Sequence, residues 1–369
     1  MPFNIAAVLI SLAVSLLLMP LLIKLFARRS LIDKVERRKI HDREVPTMGG
    51  AGFVGAFAIT ILLMGSFEQL SLHRVELLTI SVMFVVGLRD DLIELNAISK
   101  LIAQLVPAIL LIFLTNLVFP SLYGFLGINE IPYWLGALIS LFTIIGLTNS
   151  YNLIDGLDGL AGSLAVLAAI LLGAWFYVQG ETYYAFIAFA FVGSLFGFLY
   201  YNWQPAKIFM GDTGALVIGF LLSVLSIRFI DLNASLPAGS LLKFTSGVSV
   251  AVSISIIPIF DTLRIITVRL LKRKSPFSPD KNHTHHILLR LGFSHATATL
   301  LLVVVNILFV GIAVALDFLS DNLLMPLLIA LAIGLSLVLK HYIDKKTSQR
   351  KFTGKDATLE VVKPSRQAS

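Results

Sequence analysis

The chain has 369 residues, 57% of them hydrophobic, with a mean hydropathy of +0.88 and a formal net charge of +7. That apolar share exceeds what the core of a soluble domain of this length requires, so the chain reads as an all-α, polytopic membrane protein. Having no cysteine, it lacks disulfides, zinc-thiolate sites and thiol nucleophiles; its excess of Lys and Arg fits membrane topology and attraction to anionic headgroups, not nucleic-acid binding.

Crossing a hydrocarbon core of about 30 Å takes about 20 helical residues, and on that measure eleven spans are predicted. They cover roughly 3–26, 48–67, 70–88, 101–119, 133–150, 157–178, 183–201, 214–230, 244–271, 299–316 and 323–343. The first, Phe3 to Phe26, is too long for a signal-peptide core and lacks a basic leader or a small-residue cleavage site, so it reads as a retained span. After it comes a basic loop with Arg37, Arg38, Lys39 and His41, a topology anchor, ending in Gly49-Gly50, which suit tight helix packing or a turn. The third span is the least apolar: only Leu77 to Leu88 is cleanly so, preceded by His73, Arg74 and Glu76. The ninth is a run of 28 residues containing Pro258, too long for one straight crossing and expected to bend; Pro20 and Pro107 are expected kinks.

If the first gap is cytoplasmic, every Lys and Arg except Arg74, Arg228 and Lys243 falls on the cytoplasmic side or at its span ends. The expected topology therefore has the N-terminus outside and the C-terminus in the cytoplasm. Residues 1–343 form one multi-span domain, and 344–369 a basic, disordered tail to which no chemistry is assigned.

The chemistry-bearing residues fall in alternate gaps, so threading would bring them to one face. Asp90-Asp91 closes the third span; two solvated loop acids are the bland reading, but adjacent carboxylates repel unless a cation or proton compensates. Lys100 opens the fourth span, as a positive-inside anchor or as a holder of phosphate. The next gap holds Asn149, Asn152, Asp155 and Asp158 with no basic residue among them. Spacing by three puts Asn152, Asp155 and Asp158 roughly on one helical face, with Gly156 and Gly159 admitting close approach of a ligand, which suits an all-oxygen Mg²⁺ site; helix capping is the alternative. Asp212, in Phe209-Met210-Gly211-Asp212, stands where it could cap the eighth span or bind metal. His283, His285 and His286 lie within four residues; zinc is one reading, since i, i+3 imidazoles can converge, and contact with phosphate or sugar is the favoured one.

Taken together, Asp90-Asp91, Asn149 to Gly162 (NSYNLIDGLDGLAG), Phe209 to Gly214 (FMGDTG), Ser275 to Asp280 (SPFSPD) and His283-Thr284-His285-His286 resemble the polyprenyl-phosphate N-acetylhexosamine-1-phosphate transferases, in their WecA-type branch. Thr284 stands where that branch often has Ile. The resemblance implies transfer of GlcNAc-1-phosphate from UDP-GlcNAc to undecaprenyl phosphate with release of UMP and a requirement for Mg²⁺ or Mn²⁺. It implies a bacterial cytoplasmic (inner) membrane protein, with the site facing the cytoplasm, initiating a surface polysaccharide such as O-antigen, common antigen or a wall polymer; a homodimer is also implied. Carried over by motif, Asp212 and Asn152 are the metal ligands, and Asp155 and Asp158 lie close by. Asp90 activates the lipid phosphate with Asp91 assisting. Lys100, Asn149, His283, His285 and His286 hold the diphosphate and sugar. The rivals are a cation-coupled transporter, for which Asp261 and Arg264 are the main candidate buried charges, and a lipid-binding scaffold without chemistry.

Overall fold

A computed structural model describes residues 2–28, 45–273, 275 and 283–352, and among them the regular structure is helical. The helices are α1 (Pro2–Arg28), α2 (Gly49–Met64), α3 (Phe67–Leu72), α4 (Arg74–Leu92), α5 (Ala97–Thr115), α6 (Tyr133–Ile154) and α7 (Leu160–Val178). They are followed by α8 (Thr182–Asn202), α9 (Gly211–Ser235), α10 (Gly247–Ile254), α11 (Ile256–Leu271), α12 (Thr284–Leu291), α13 (His295–Ala315) and α14 (Asp321–Phe352). A short excursion between α5 and α6 contains a 3-10 turn at Phe125–Gly127 and an isolated bridge between Ser121 and Glu130.

Among the described residues, eight helices are long and apolar enough to cross a membrane: α1, α5, α6, α7, α8, α9, α13 and α14. The bent pair of α10 and α11 raises the number to nine, so the expectation of eleven is corrected. Two expected spans account for the difference. Helix α2 has 16 residues and rises about 24 Å, short of the hydrocarbon thickness. Helix α4 carries Arg74, Glu76, Arg89, Asp90 and Asp91. Helix α2 buries many of its apolar residues inside the bundle, against α1, α8 and α9, whereas α4, packed on α5 and α9, buries only Ile80 and Met83 of its larger apolar residues and leaves Leu78 and Val85 exposed. In α2, protein neighbours satisfy apolarity as well as lipid does.

The expected bend in the ninth stretch falls at Ser255, where α10 and α11 meet at 83°. Pro258 sits in the first turn of α11, the place where a missing N–H costs a helix least. The backbone groups orphaned by the break are taken up by Asn306 of α13. Its amide donates to the Ile254 carbonyl (2.9 Å), and its oxygen accepts from Ile257 N (3.3 Å). Pro20 and Pro107 lie within helices that continue through them.

Helix α9 forms the buried axis of the fold, with α4 and α6 packed along it, while α1 and α14 are peripheral. Ser15 of α1 donates to the Ser194 carbonyl and Tyr201 to the Leu16 carbonyl, so α1 and α8 run side by side in the same direction. The expected domain end at residue 343 lies inside α14, which continues to Phe352; residues beyond it, like Arg37 to Asp42 of the first loop, lie outside the described residues.

Candidate active site

The site is built where α4, α5, α6 and α9 end or begin. Asp91, in the last turn of α4, turns its carboxylate onto the first turn of α9. It accepts from Asp212 N (2.7 Å), Thr213 N (3.0 Å) and the Thr213 hydroxyl. A helix N-terminus offers free amides and partial positive charge, so this is a cap supplied by another helix. Gly211 is required there: its φ is +74°, and a Cβ would come within 2.7 Å of Asp91 Oδ2. The first loop helps, since Gly49 N and Gly50 N donate to the carbonyls of Phe209 and Met210, both at 2.8 Å. The expected turn at Gly49-Gly50 is thus the entry of α2, stitched to the loop that presents Asp212.

Asp212 is the point of convergence. Lys100 Nζ and the Asn152 side-chain amide both contact its Oδ1. Lys100 also reaches Asp90 Oδ2 at 2.8 Å, and Asp90, buried, accepts from Leu95 N (2.8 Å) with its other oxygen. Three sequence-distant segments therefore meet on one lysine and one carboxylate. Asn149, one turn before Asn152, donates to Gln104 Oε1 and to the Ile145 carbonyl, both at 2.8 Å, and so braces α6 against α5.

Asp155 ends α6 and has the strongest electrostatic signature. Burial, followed by the charges of Asp212, Asp91 and Asp158, pushes its carboxyl up to about 8. A carboxyl raised in this way beside other acids calls for a cation. Asp212 and the neighbouring acids offer carboxylate oxygens, which suit a hard dication; Asn152 turns its amide nitrogen to Asp212 and would present its oxygen after an amide flip.

Asp158 faces a different way. Its carboxylate accepts from Ala206 N (3.2 Å) and lies 3.4 Å from His295 Nδ1, while its carbonyl accepts from Thr299. Next to it, Asn202 accepts from Gly159 N and donates to the Ile208 carbonyl, each at 2.8 Å. These contacts tie the loop between α6 and α7 to α8 and α13.

The histidine segment comes to the same place. The His285 ring sits on Gly156, where a Cβ would meet its Nε2 at 2.3 Å. Burial, and then the charge of His286, holds the His285 imidazole down at about 3, so it is neutral at ordinary pH. The His285 and His286 rings are 4.3 Å apart, and His283 stacks on His285 at 5.4 Å. His283 and Thr284 are both bound to Asp261 of α11. Of the SPFSPD stretch only Ser275 is among the described residues, and Lys281 and Asn282 are outside them.

Every expected site residue is thus in one region, although Asp91, Asn149 and Asp158 spend their polar atoms on protein. Gln104, Asn202 and His295 are participants that motif reading passed over. Their one signal was a polar side chain inside or at the end of an apolar run.

Comparison with known proteins gives matching results. Residues 73–230 match the model of glycosyl transferase family 4. The chain is 31% identical to a probable undecaprenyl-phosphate N-acetylglucosaminyl 1-phosphate transferase of Bacillus subtilis, over 83% of this chain and 82% of that protein. It is 30% identical to a decaprenyl-phosphate N-acetylglucosaminephosphotransferase of Mycolicibacterium smegmatis, over 82% and 79% respectively. It is 28% identical to the undecaprenyl-phosphate alpha-N-acetylglucosaminyl 1-phosphate transferase of Escherichia coli K12, over 83% of each chain.

Proposed function

The chain belongs to glycosyl transferase family 4, as a polyprenyl-phosphate N-acetylhexosamine-1-phosphate transferase, and from that premise we propose that it transfers GlcNAc-1-phosphate from UDP-GlcNAc to undecaprenyl phosphate. The observation that carries the reading is the meeting of Lys100, Asn152 and the Asp91-capped start of α9 on Asp212, with Asp155 held protonatable beside them. An acid cluster with Lys100 in its middle suits a divalent cation together with a diphosphate. A lipid phosphate oxygen attacks the β-phosphorus of the nucleotide sugar, the bond to the α-phosphate oxygen breaks, and UMP leaves. The protein's work is to align two phosphates that repel one another.

Asp212 and Asn152 are the proposed holders of Mg²⁺ or Mn²⁺, with Asp155 close by. Bound there, the ion would neutralise charge on the diphosphate. Lys100, steered by Asp90, meets phosphate; His283, His285 and His286 meet phosphate or sugar; Asp91 and Asp158 keep the elements in place. The reading of Asp90 and Asp91 as activators of the lipid phosphate gives way here to steering and capping, because their oxygens are engaged with Lys100, Leu95, Asp212 and Thr213. Asp155 is the acid left to face the lipid phosphate. Asp261 binds His283 and Thr284, and Arg264 binds Asp261, so the main candidate charges for a transport pathway have protein partners, which weighs against that reading.

The proposed orientation places the site in the cytoplasm of a bacterial inner membrane, where nucleotide sugars are made. Two contacts support it. The end of α8 reaches the site through Asn202, and α1 runs parallel to α8, so the N-terminus lies at the far face. Lys346 of α14 contacts α12, so the C-terminal end shares the site's face.

The test is incubation of the purified protein with Mg²⁺, undecaprenyl phosphate and radiolabelled UDP-GlcNAc, in competition with UDP-GalNAc and UDP-FucNAc. Labelled lipid and UMP, with UDP-GlcNAc the preferred donor, are expected. No transfer from any UDP-sugar would sink the proposal.

A further inference from the structure

We propose that Asp261 is a positioning residue that sets His283 for contact with the phosphosugar, an inference that rests on the transferase reading above. Asp261 lies on α11 and is 2% exposed, yet no single partner accounts for it. Its Oδ2 is 2.7 Å from His283 Nδ1. Its Oδ1 accepts from Thr284 N (2.8 Å), from the Thr284 hydroxyl and from Arg264 Nη2 (3.0 Å). One carboxylate therefore fixes the backbone at the start of α12 and the imidazole just ahead of it.

The start of α12 needs such a group. Its N-cap position is His283, whose side chain makes no capping hydrogen bond. Asp261 supplies the acceptor from another helix, and negative charge is favoured at that end. The same bond selects the tautomer: with the Nδ1 proton directed at the carboxylate, Nε2 is the nitrogen left for substrate. Order then passes along the rings, from His283 stacked on His285 to His285 seated on Gly156, next to Asp155.

Asp261, His283 and His285 offer ligand atoms within 4.8 Å of one another, so a metal is the competing occupant. The contacts favour the positioning role. Both carboxylate oxygens are already engaged, and a cation on Oδ1 would sit against the Arg264 guanidinium.

The test uses the full chain in nanodiscs and the variants D261N, H283Q and D261N/H283Q. Histidine-selective ¹⁵N NMR, with the His283 signal assigned by its loss in H283Q, should show Nδ1–H in the wild type and a changed tautomer in D261N. In the transferase assay, D261N and H283Q should each lower kcat/KM about 100-fold, and the double variant should fall no lower than H283Q. Thermal unfolding of each variant checks that the bundle is intact. Three results would each overturn the inference: an unchanged His283 signal in D261N, losses that multiply in the double variant, or a stoichiometric zinc ion retained by the wild type and lost in D261N. A wild type inert toward every UDP-hexosamine would defeat the transferase reading alone, because the NMR arm still decides whether Asp261 sets His283.

Discussion

The two ends of α4 treat acids in opposite ways. Near its start Glu76 is buried, and its carboxylate meets the Tyr184 hydroxyl (3.1 Å), His73 Nδ1 (3.1 Å) and Arg228 Nη2 (3.5 Å). About 21 Å along the axis, Asp90 and Asp212 meet on Lys100, with Asp91 and Asp155 beside Asp212. The first cluster is closed, its one carboxylate surrounded by donors from three elements. Among the described residues the second sets Lys100 against several carboxylates, an excess of negative charge that fits the proposed dication and diphosphate. Burial of acids is common to both; what separates a structural cluster from a reactive one is whether protein alone balances the charge.

The comparison breaks if the open end tolerates loss of charge. Asp212→Asn should lower turnover about 1000-fold with the fold retained, read from labelled-lipid formation alongside circular dichroism; turnover near wild type would mean that the acids are not the working end. Lys100→Ala should cost about 100-fold in turnover and also lower the thermal midpoint, since Asp90 would be left buried without its partner. Gly156→Ala should raise the KM for the nucleotide sugar about tenfold, by forcing a Cβ against His285.

A pH experiment sharpens the contrast. The folded-state pKa of Asp155, about 8, lies above its unfolded value of 3.8. Its contribution to stability is therefore full below pH 3.8 and lost as pH rises through about 8. In EDTA the thermal midpoint of the wild type should fall between pH 5 and pH 9 by more than that of Asp155→Asn, and Mg²⁺ should remove the difference. Equal slopes for the two proteins would contradict the unbalanced-charge picture. At the closed end, Glu76→Gln should leave turnover within about twofold while costing about 1–3 kcal/mol of stability, measured by thermal unfolding.

The chemistry was more legible in the sequence than the crossings were. Asp90, Asn152, Asp155, Asp212 and the histidines announced themselves as polar residues where apolar runs stop, and the structure gathers them into one region. The span count was overestimated because an apolar run shows neither helix length nor burial: α2 is short and packs apolar residues on α1, α8 and α9, and α4 carries Arg74, Glu76, Arg89, Asp90 and Asp91. The break at Ser255 was half legible, through Pro258 and the excess length. Its other half, Asn306, lies 51 residues downstream of Ser255 in an unremarkable apolar run, and no local pattern links the two. The division between the acids proposed to face substrate and those that hold the frame was invisible as well. Asp91 and Asp158 look like their neighbours until their partners, the amides of Asp212, Thr213 and Ala206, are placed in space.

Lys346 of α14 donates to the carbonyl of Leu291, the last residue of α12. A helix that looks like a plain membrane anchor with a basic trailer is thereby a splint for the short helix carrying His285 and His286. Clipping the chain at the apparent end of its last apolar run would leave every motif intact and still loosen the histidines from behind, a failure that inspection of the motifs would never diagnose.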